Sequence, residues 1–362
     1  MQEFFIQWHL TERCNLRCAH CYQQDVRCGE LPPQLVRHYL GEIISTLDYW
    51  RDSYGLTFQP LLHLTGGEPF VYPALWDIME HGRFLGFGLA VLTNGTLVDA
   101  PTARRLADLG VESVQVSVEG PPAVHDAVRG PGSFARALAG TRNLVAAGVR
   151  VTFSVTLSSV NAPFVRDLAG LAAENGVARI GYSRLVPCGR GREMSDRCLS
   201  SREISAVYRE MAAWTFPGLE IIPKDPLHCL FEPPPGPGVG GGVPLGGCSA
   251  GVSGVTVMPD GTVMPCRRMN LPIGNLRETS FRELWVASPV LENLRRQGNY
   301  HGRCGRCPYW TVCRGCRAVA GTWAEAGEDN YLAEDPDCWW DPDAEAGGTE
   351  KNDVGSVPRS GA

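Results

Sequence analysis

Three cysteines near the start of the chain, Cys14, Cys18 and Cys21, stand in the run Glu12-Arg13-Cys14-Asn15-Leu16-Arg17-Cys18-Ala19-His20-Cys21-Tyr22. Their C-x3-C-x2-C spacing offers three thiolates, one short of the four that close an iron-sulfur site. A 4Fe-4S cluster held here would keep one iron open for another ligand. Clustered cysteines also occur in zinc sites and in redox pairs with a spare thiol, and spacing alone does not choose among them. The flanks narrow the choice. Phe4-Phe5-Ile6-Gln7-Trp8-His9-Leu10 is aromatic and β-prone, which puts the cysteines on the loop after a first strand. Functional loops of α/β barrels sit in that position.

A second element lies downstream, where Leu61-Leu62-His63-Leu64-Thr65-Gly66-Gly67-Glu68-Pro69 reads as a strand running into a Gly-Gly-Glu-Pro turn. Alone, Gly66 to Pro69 would be an ordinary turn. After the cysteine loop, it makes the chain resemble the radical SAM enzymes, whose C-x3-C-x-φ-C loop binds a 4Fe-4S cluster with S-adenosyl-L-methionine on the open iron. His20 takes the φ position and Tyr22 follows the last ligand. The resemblance implies that Cys14, Cys18 and Cys21 are the cluster ligands and that Gly66, Gly67, Glu68 and Pro69 contact the methionine amino group. The chemistry is sound: glycines let backbone approach a ligand closely, and a carboxylate accepts hydrogen bonds from an ammonium.

At 362 residues the chain has room for a core domain and a smaller second one. No apolar run approaches the ~20 residues of a membrane span, and the N-terminus lacks the basic and apolar regions of a secretory signal. A cytoplasmic protein is expected. A net charge of -6 leaves no basic footprint for nucleic acid, and fourteen cysteines in a cytosolic chain favour metal ligation over disulfides.

Up to about residue 215, strand-like and helix-like patterns alternate. Strands are expected over 4–10, 61–64, 89–92, 113–118, 149–157 and 178–185. Helices are expected over 32–50, 73–84, 99–109, 133–147, 162–175 and 200–214. Six β-α units on right-handed crossovers give an α/β fold with a parallel sheet and helices outside, and the resemblance implies a partial (β/α)6 TIM-like barrel. Several strand ends are candidate cofactor contacts. Ser117-Val118-Glu119-Gly120 stands where relatives often have Ser-x-Asp-Gly, so Ser117 is a candidate for the methionine or ribose portion, and Glu119 replaces the usual Asp. His125, Asp126 and Arg129 follow in a familial spacing, each equally readable as part of a solvated loop. Ser154 and Thr156 alternate on the fifth strand, and Leu185 after the sixth could present backbone to the adenine.

The expected organisation is a barrel over 1–215, a linker over 216–247 with a Pro/Gly-rich loop, a small Cys-rich α+β domain over 248–340 and a disordered tail over 341–362. Cys248, Cys266, Cys304, Cys307, Cys313, Cys316 and Cys338 resemble the SPASM extension of radical SAM enzymes, which usually carries two auxiliary 4Fe-4S clusters. A β-hairpin with an Asp-Gly turn is expected over 255–266, with a short helix over 279–286. By family pattern Cys304, Cys307, Cys313 and Cys338 hold one auxiliary cluster. Cys248, Cys266 and Cys316 hold the other, with Cys229 as its candidate fourth ligand. The pair Cys313-Arg314-Gly315-Cys316 has two intervening residues where the extension commonly has three. Paired zinc sites are the alternative for this region, and Cys28, Cys188 and Cys198 read as buried or incidental thiols.

The resemblance thus implies three 4Fe-4S clusters, reductive cleavage of S-adenosyl-L-methionine to a 5'-deoxyadenosyl radical, and abstraction of a substrate hydrogen. An electron donor such as flavodoxin or ferredoxin would supply the cluster. Relatives of this organisation most often modify a ribosomally made peptide or protein by crosslinking, thioether formation, oxidation or epimerisation. The early first strand leaves no space before it for a leader-binding module of ~80 residues, so a peptide would be delivered by a separate leader-binding protein or bound directly by the second domain. A radical SAM dehydrogenase or epimerase of a sugar, tetrapyrrole or other metabolite is the alternative, for which an acidic cavity suited to an aminosugar or a tall basic one suited to carboxylates would speak, and the sequence does not show which. A non-enzymatic iron-sulfur or zinc protein is the other.

Overall fold

Period-two burial along the first strand, β1 (Gln2–His9), sets the architecture. Phe4, Ile6 and Trp8 are buried outward, among the helices, while Gln7 and His9 alternate with them. A computed structural model describes residues 2–23, 29–236, 242–323 and 330–341. Cys28, the centre of the Pro/Gly loop and the tail beyond Asp341 lie outside these residues, and the expectation of disorder in the tail lies outside with them.

From β1 the chain continues as α1 (Pro33–Tyr54), β2 (Phe58–Thr65), α2 (Leu75–Phe84), β3 (Gly88–Thr93), α3 (Ala100–Asp108), β4 (Ser113–Ser117), α4 (Pro122–Arg129) and α5 (Ser133–Ala146). It then forms β5 (Val151–Leu157), α6 (Val165–Glu174), β6 (Arg179–Arg184), α7 (Ser201–Ala212) and β7 (Glu220–Pro223). Strands β1 to β7 are parallel and paired in chain order, so every C-terminal strand end opens on the same rim. Local sequence agrees with each element. In α1 a proline occupies the first turn, Val36, Tyr39, Leu40, Ile43 and Leu47 form the buried stripe, and Gly55 closes the helix at φ 67. Ser200 and Glu203 form a reciprocal capping box at α7.

Two elements depart from expectation. The stretch after Gly120 folds as α4 rather than as a loop, with Pro122 in its first turn. The segment assigned to the linker contributes β7, paired with β6. Glu220-Ile221-Ile222-Pro223 is too short to show a period, and its proline is tolerated because β7 is the edge strand and the N–H of Lys224 is the one that faces β6.

The second region adds β8 (Gly254–Val257), β9 (Thr262–Met264), β10 (Gly274–Asn275), α8 (Phe281–Ala287), α9 (Pro289–Leu294), α10 (Gly302–Gly305) and α11 (Arg317–Trp323). The hairpin is present: β8 and β9 are antiparallel, and Gly261 turns at φ 93. Its β8 also pairs in parallel with β1, giving one ten-stranded sheet. A barrel left open exposes the β1 edge, and exposed edges recruit strands. Gly254 permits the approach, since a Cβ there would lie 2.1 Å from the Phe5 carbonyl oxygen. Phe4 completes the join, its ring centroid 4.8 Å from that of Trp285 on α8 and 6.1 Å from that of Trp50 on α1. Truncating such a buried aromatic costs ~3–5 kcal/mol.

Candidate functional site

The cysteine loop crosses the C-terminal rim directly after β1 and is fastened there by the two glycines. Gly67 N–H donates to the Thr11 carbonyl at 2.8 Å and Glu68 N–H to the Arg13 carbonyl at 2.9 Å. A Cβ on Gly66 would lie 2.2 Å from the Thr11 oxygen, and one on Gly67 2.2 Å from the Arg13 oxygen. Here the close approach that demands glycine is made to the cysteine loop itself. Gly66, at φ 143, carries a backbone that other residues avoid.

Cys14, Cys18 and Cys21 line one cleft together with His20, Tyr22, Gly66, Gly67, Ser117, Ser154, Thr156 and Leu185. Ser117 and Ser154 are register partners on β4 and β5, which explains their convergence. Burial raises the Cys14 thiol to about 11, and the neighbouring Glu68, Cys18 and Cys21 add to the rise against the Leu16 N–H. Burial raises Cys18 too, opposed by Arg129, whose Nη1 lies 3.8 Å from its sulfur. Three mutually interacting thiols at a cleft, one already accepting a backbone N–H from Leu16 at 3.4 Å, fit a cationic metal group that would favour thiolates.

Three sequence-predicted contacts stand behind the cleft rather than on it. Glu68 is completely buried and accepts from Thr93 Oγ1 at 2.7 Å and Asn94 N–H at 2.9 Å, bracing the end of β3. Burial raises its carboxyl to about 7 against those hydrogen bonds. Pro69 is buried at the start of the next turn. Glu119 accepts from Arg129 Nε at 3.0 Å and Thr156 N–H at 2.8 Å, and lies 3.1 Å from His20 Nε2. Burial would raise its carboxyl, but Arg129 and His20 hold it well below the usual carboxylate range. It therefore connects the cysteine loop to α4 and β5. His125 and Asp126 serve the backbone: His125 Nδ1 accepts from Glu119 N–H at 3.2 Å, and Asp126 caps the start of α5.

The sequence reading missed the cations. Arg190, Arg267 and Arg268 line the same cleft, and no carboxylate is paired with Arg267 or Arg268 among the described residues. The tandem arginine directly after Cys266 was the available signal. Arg267 Nη1 donates to Gln7 Oε1 at 3.0 Å, and its guanidinium lies 5.5 Å from the centre of the Tyr22 ring. Lys224, a solvent-exposed residue just after β7, donates from Nζ to Gln115 Oε1 at 2.6 Å. Desolvation of its ammonium, with Arg267 and Arg179 adding, lowers Lys224 to about 8.

Beyond the rim Arg184 joins the two regions. It is buried against Asp225, with Nη2 2.7 Å from Asp335 and Nη1 2.7 Å from Asp337, and Asp335 also accepts from Cys316 N–H at 2.7 Å. Cys229, Cys248, Cys266 and Cys316 line a second cavity. Cys307, Cys313 and Cys338 pack together with Tyr309, Trp339 and Trp340, and Cys304 lies within electrostatic reach of Cys307 and Cys313. Cys229 touches both groups, since its thiol also meets that of Cys313. Among the described residues no three His, Cys, Asp or Glu converge as ligands of a single ion. Cys188, set aside as incidental, lies within electrostatic reach of both Cys266 and Cys21, whereas Cys198 stands beside Asp337.

A parallel barrel with three thiols at its rim and a cysteine-rich extension defines a cluster-dependent radical enzyme, and comparisons agree. The radical SAM superfamily model matches residues 8–167, and the SPASM iron-sulfur cluster-binding domain matches residues 248–317. The chain belongs to the radical SAM superfamily, as an enzyme with a SPASM domain that binds S-adenosyl-L-methionine and 4Fe-4S clusters. It is 33% identical over 359 residues to an AdoMet-dependent heme synthase of Methanosarcina barkeri, covering 93% of this chain and 96% of that one. It is 31% identical over 322 residues to the mycofactocin maturase MftC of Mycobacterium ulcerans, covering 87% and 83%. Streptococcus suis SuiB bound to S-adenosylmethionine shares the fold at a TM-score of 0.74 and 14% identity, covering 94% of this chain and 78% of that one. Among the described residues no helix is long and apolar enough to cross a membrane.

Proposed function

We propose that the enzyme abstracts a hydrogen atom from a tetrapyrrole bearing carboxylate side chains. The observation that carries this reading is the cleft wall, where Arg267 and Arg268 stand beside the cysteine loop with no carboxylate paired to either among the described residues. Guanidinium groups grip carboxylates through paired, charge-assisted hydrogen bonds, and here they would do so away from bulk water. The resemblance to heme synthases favours the same substrate class.

In this reading Cys14, Cys18 and Cys21 hold the first cluster. Gly66, Gly67, Ser117, Ser154, Thr156 and Leu185 surround S-adenosyl-L-methionine, and Glu119, His20 and Arg129 keep the loop in register with them. When bound, the reduced cluster supplies the electron that cleaves the cosubstrate to methionine and a 5'-deoxyadenosyl radical. The chain's own task is to fix one substrate C–H bond against that radical and keep water away. Arg267 and Arg268 do so by anchoring carboxylates at a set distance from the rim. Cys229, Cys248, Cys266 and Cys316 would hold one auxiliary cluster, and Cys304, Cys307, Cys313 and Cys338 the other, and such clusters would supply one-electron acceptors.

A peptide substrate is the second reading, favoured by the 31% identity to a maturase. Anaerobic incubation of the reconstituted enzyme with S-adenosyl-L-methionine and dithionite separates the two. Iron coproporphyrin III is supplied in one arm and a precursor peptide encoded beside the gene in the other. A mass change in the tetrapyrrole with 5'-deoxyadenosine release supports the first reading. A change in the peptide alone replaces it with the second, and release with neither altered counts against both.

A further inference from the structure

Arg314 is the only described residue other than glycine with a left-handed backbone, at φ 63, and Gly315 follows at φ 60. The side chain is 2% exposed, yet Nε, Nη1 and Nη2 all lack a hydrogen-bond partner. An unpaired guanidinium this deeply buried is costly, and unsatisfied buried donors call for a missing acceptor. Nearby arginines are anchored by the protein: Arg184 by its three aspartates, and Arg317 by the carbonyls of Tyr331 and Ala333. The groups facing Arg314 are Cys248, Cys313, Tyr300 and Arg317, with the Trp310 ring 6.0 Å away and no carboxylate among them.

This position is where the two cysteine groups meet. Cys248 N–H donates to the Cys313 carbonyl at 3.0 Å, and Arg314, one peptide bond from Cys313, faces the thiols of both. The shortened Cys313-Arg314-Gly315-Cys316 link accounts for the geometry. With two residues to turn the chain, both adopt the left-handed region, and the arginine side chain is carried inward.

We propose that Arg314 is a positioning residue for electron transfer, donating hydrogen bonds to the sulfurs of the auxiliary clusters and raising their reduction potential. A fixed positive charge beside an anionic iron-sulfur group favours the state that has gained one electron. The proposal rests on the reading that both cysteine groups hold clusters.

The test uses the full chain carrying alanine at positions 14, 18 and 21, reconstituted anaerobically, so that only auxiliary clusters are seen in iron analysis and redox titration by electron paramagnetic resonance. Arg314→Gly, which keeps the left-handed backbone unstrained, and Arg314→Met are expected to retain auxiliary iron. Each is expected to lower at least one midpoint by a tenfold change in the reduction equilibrium, 59 mV for one electron. Arg314→Lys should fall between. In the cluster-free chain both neutral variants should unfold at a higher temperature, because an unpartnered charge is gone. Unchanged midpoints with full iron overturn the proposal. So does loss of iron from both neutral variants with Arg314→Lys retaining it, which would assign Arg314 to cluster binding. Absence of auxiliary iron from the unmutated second domain would instead defeat the cluster reading itself.

Discussion

Replacing Gly67 with alanine should disable the enzyme without touching a cysteine. The added Cβ would stand 2.2 Å from the Arg13 carbonyl oxygen and 2.7 Å from that of Glu12, both backbone atoms that no side-chain rotation can move. Restoring ordinary contact moves the Arg13 carbonyl by about 1 Å, and this residue directly precedes Cys14. The move also stretches the 2.9 Å hydrogen bond from Glu68 N–H. Overpacking at ~1–3 kcal/mol and a weakened hydrogen bond at ~1 kcal/mol together put the cost at about 2–4 kcal/mol. A reacting group misplaced by ~1 Å loses on the order of 10²-fold in rate. The assay is 5'-deoxyadenosine release per minute under dithionite, with iron counted per chain. Gly41→Ala serves as control, because Gly41 lies within α1 with nothing within 4 Å of its added Cβ. It should stabilise the fold by ~1 kcal/mol and leave the rate alone. A Gly67→Ala enzyme with full iron and a rate within about twofold of the parent would refute the argument that glycine is needed to seat the loop.

Alanine at Cys14, Cys18 and Cys21 together should abolish 5'-deoxyadenosine formation while leaving second-domain iron largely in place; equal loss from both regions would contradict separate sites. Asp335→Asn should cost about 1.5–3 kcal/mol in denaturant unfolding, since it removes charge-assisted hydrogen bonding to Arg184, which keeps Asp225 and Asp337, where it ties β6 to the second region; a loss below ~0.5 kcal/mol would sink that role. Lys224 carries a pKa lowered from 10.5 to about 8, so the folded state disfavours its charged form, and stability is lost as pH falls from about 10.5 through about 8. Lys224→Met should flatten that slope, with a gain at neutral pH kept small because the side chain is solvent-exposed and its hydrogen bond to Gln115 is lost. A slope unchanged between pH 8 and 10.5 would refute it.

What could be read from the chain beforehand was whatever is local. The apolar stripe of α1, the proline and glycine at its ends and the Asp-Gly turn of the hairpin are each decided within a dozen residues. The cysteine loop and Gly66-Gly67 were legible by spacing, and Ser117 with Ser154 by position at strand ends. Features that depend on partners distant in sequence escaped. The pairing of β8 with β1 follows from an open edge that no local pattern announces, and β7 is too short to show a period. Glu68 and Glu119 were expected as cosubstrate contacts from the resemblance, and their partners within the chain, Asn94 and Arg129, are fixed only once β3 and α4 are placed.

The joined sheet bears on chemistry as well as on architecture. Because β8 hydrogen-bonds to β1, the strand that leads into Cys14 and the hairpin that leads into Cys266, Arg267 and Arg268 are neighbours in one sheet. Their separation is set by backbone hydrogen bonds rather than by a flexible linker. Arg184 adds a second fixed point at the far side of the rim, through aspartates on both sides of the junction. A site assembled from both regions needs its groups held to within about 0.5 Å of the productive geometry. A rigid shared sheet with a buried ion-pair junction meets that requirement, and a hinged pair of domains would not. Mutations at the Phe4–Trp285 contact, remote from every cysteine, should therefore lower substrate turnover more than they lower cosubstrate cleavage in the absence of substrate. Equal losses in the two rates would show that the junction sets stability alone.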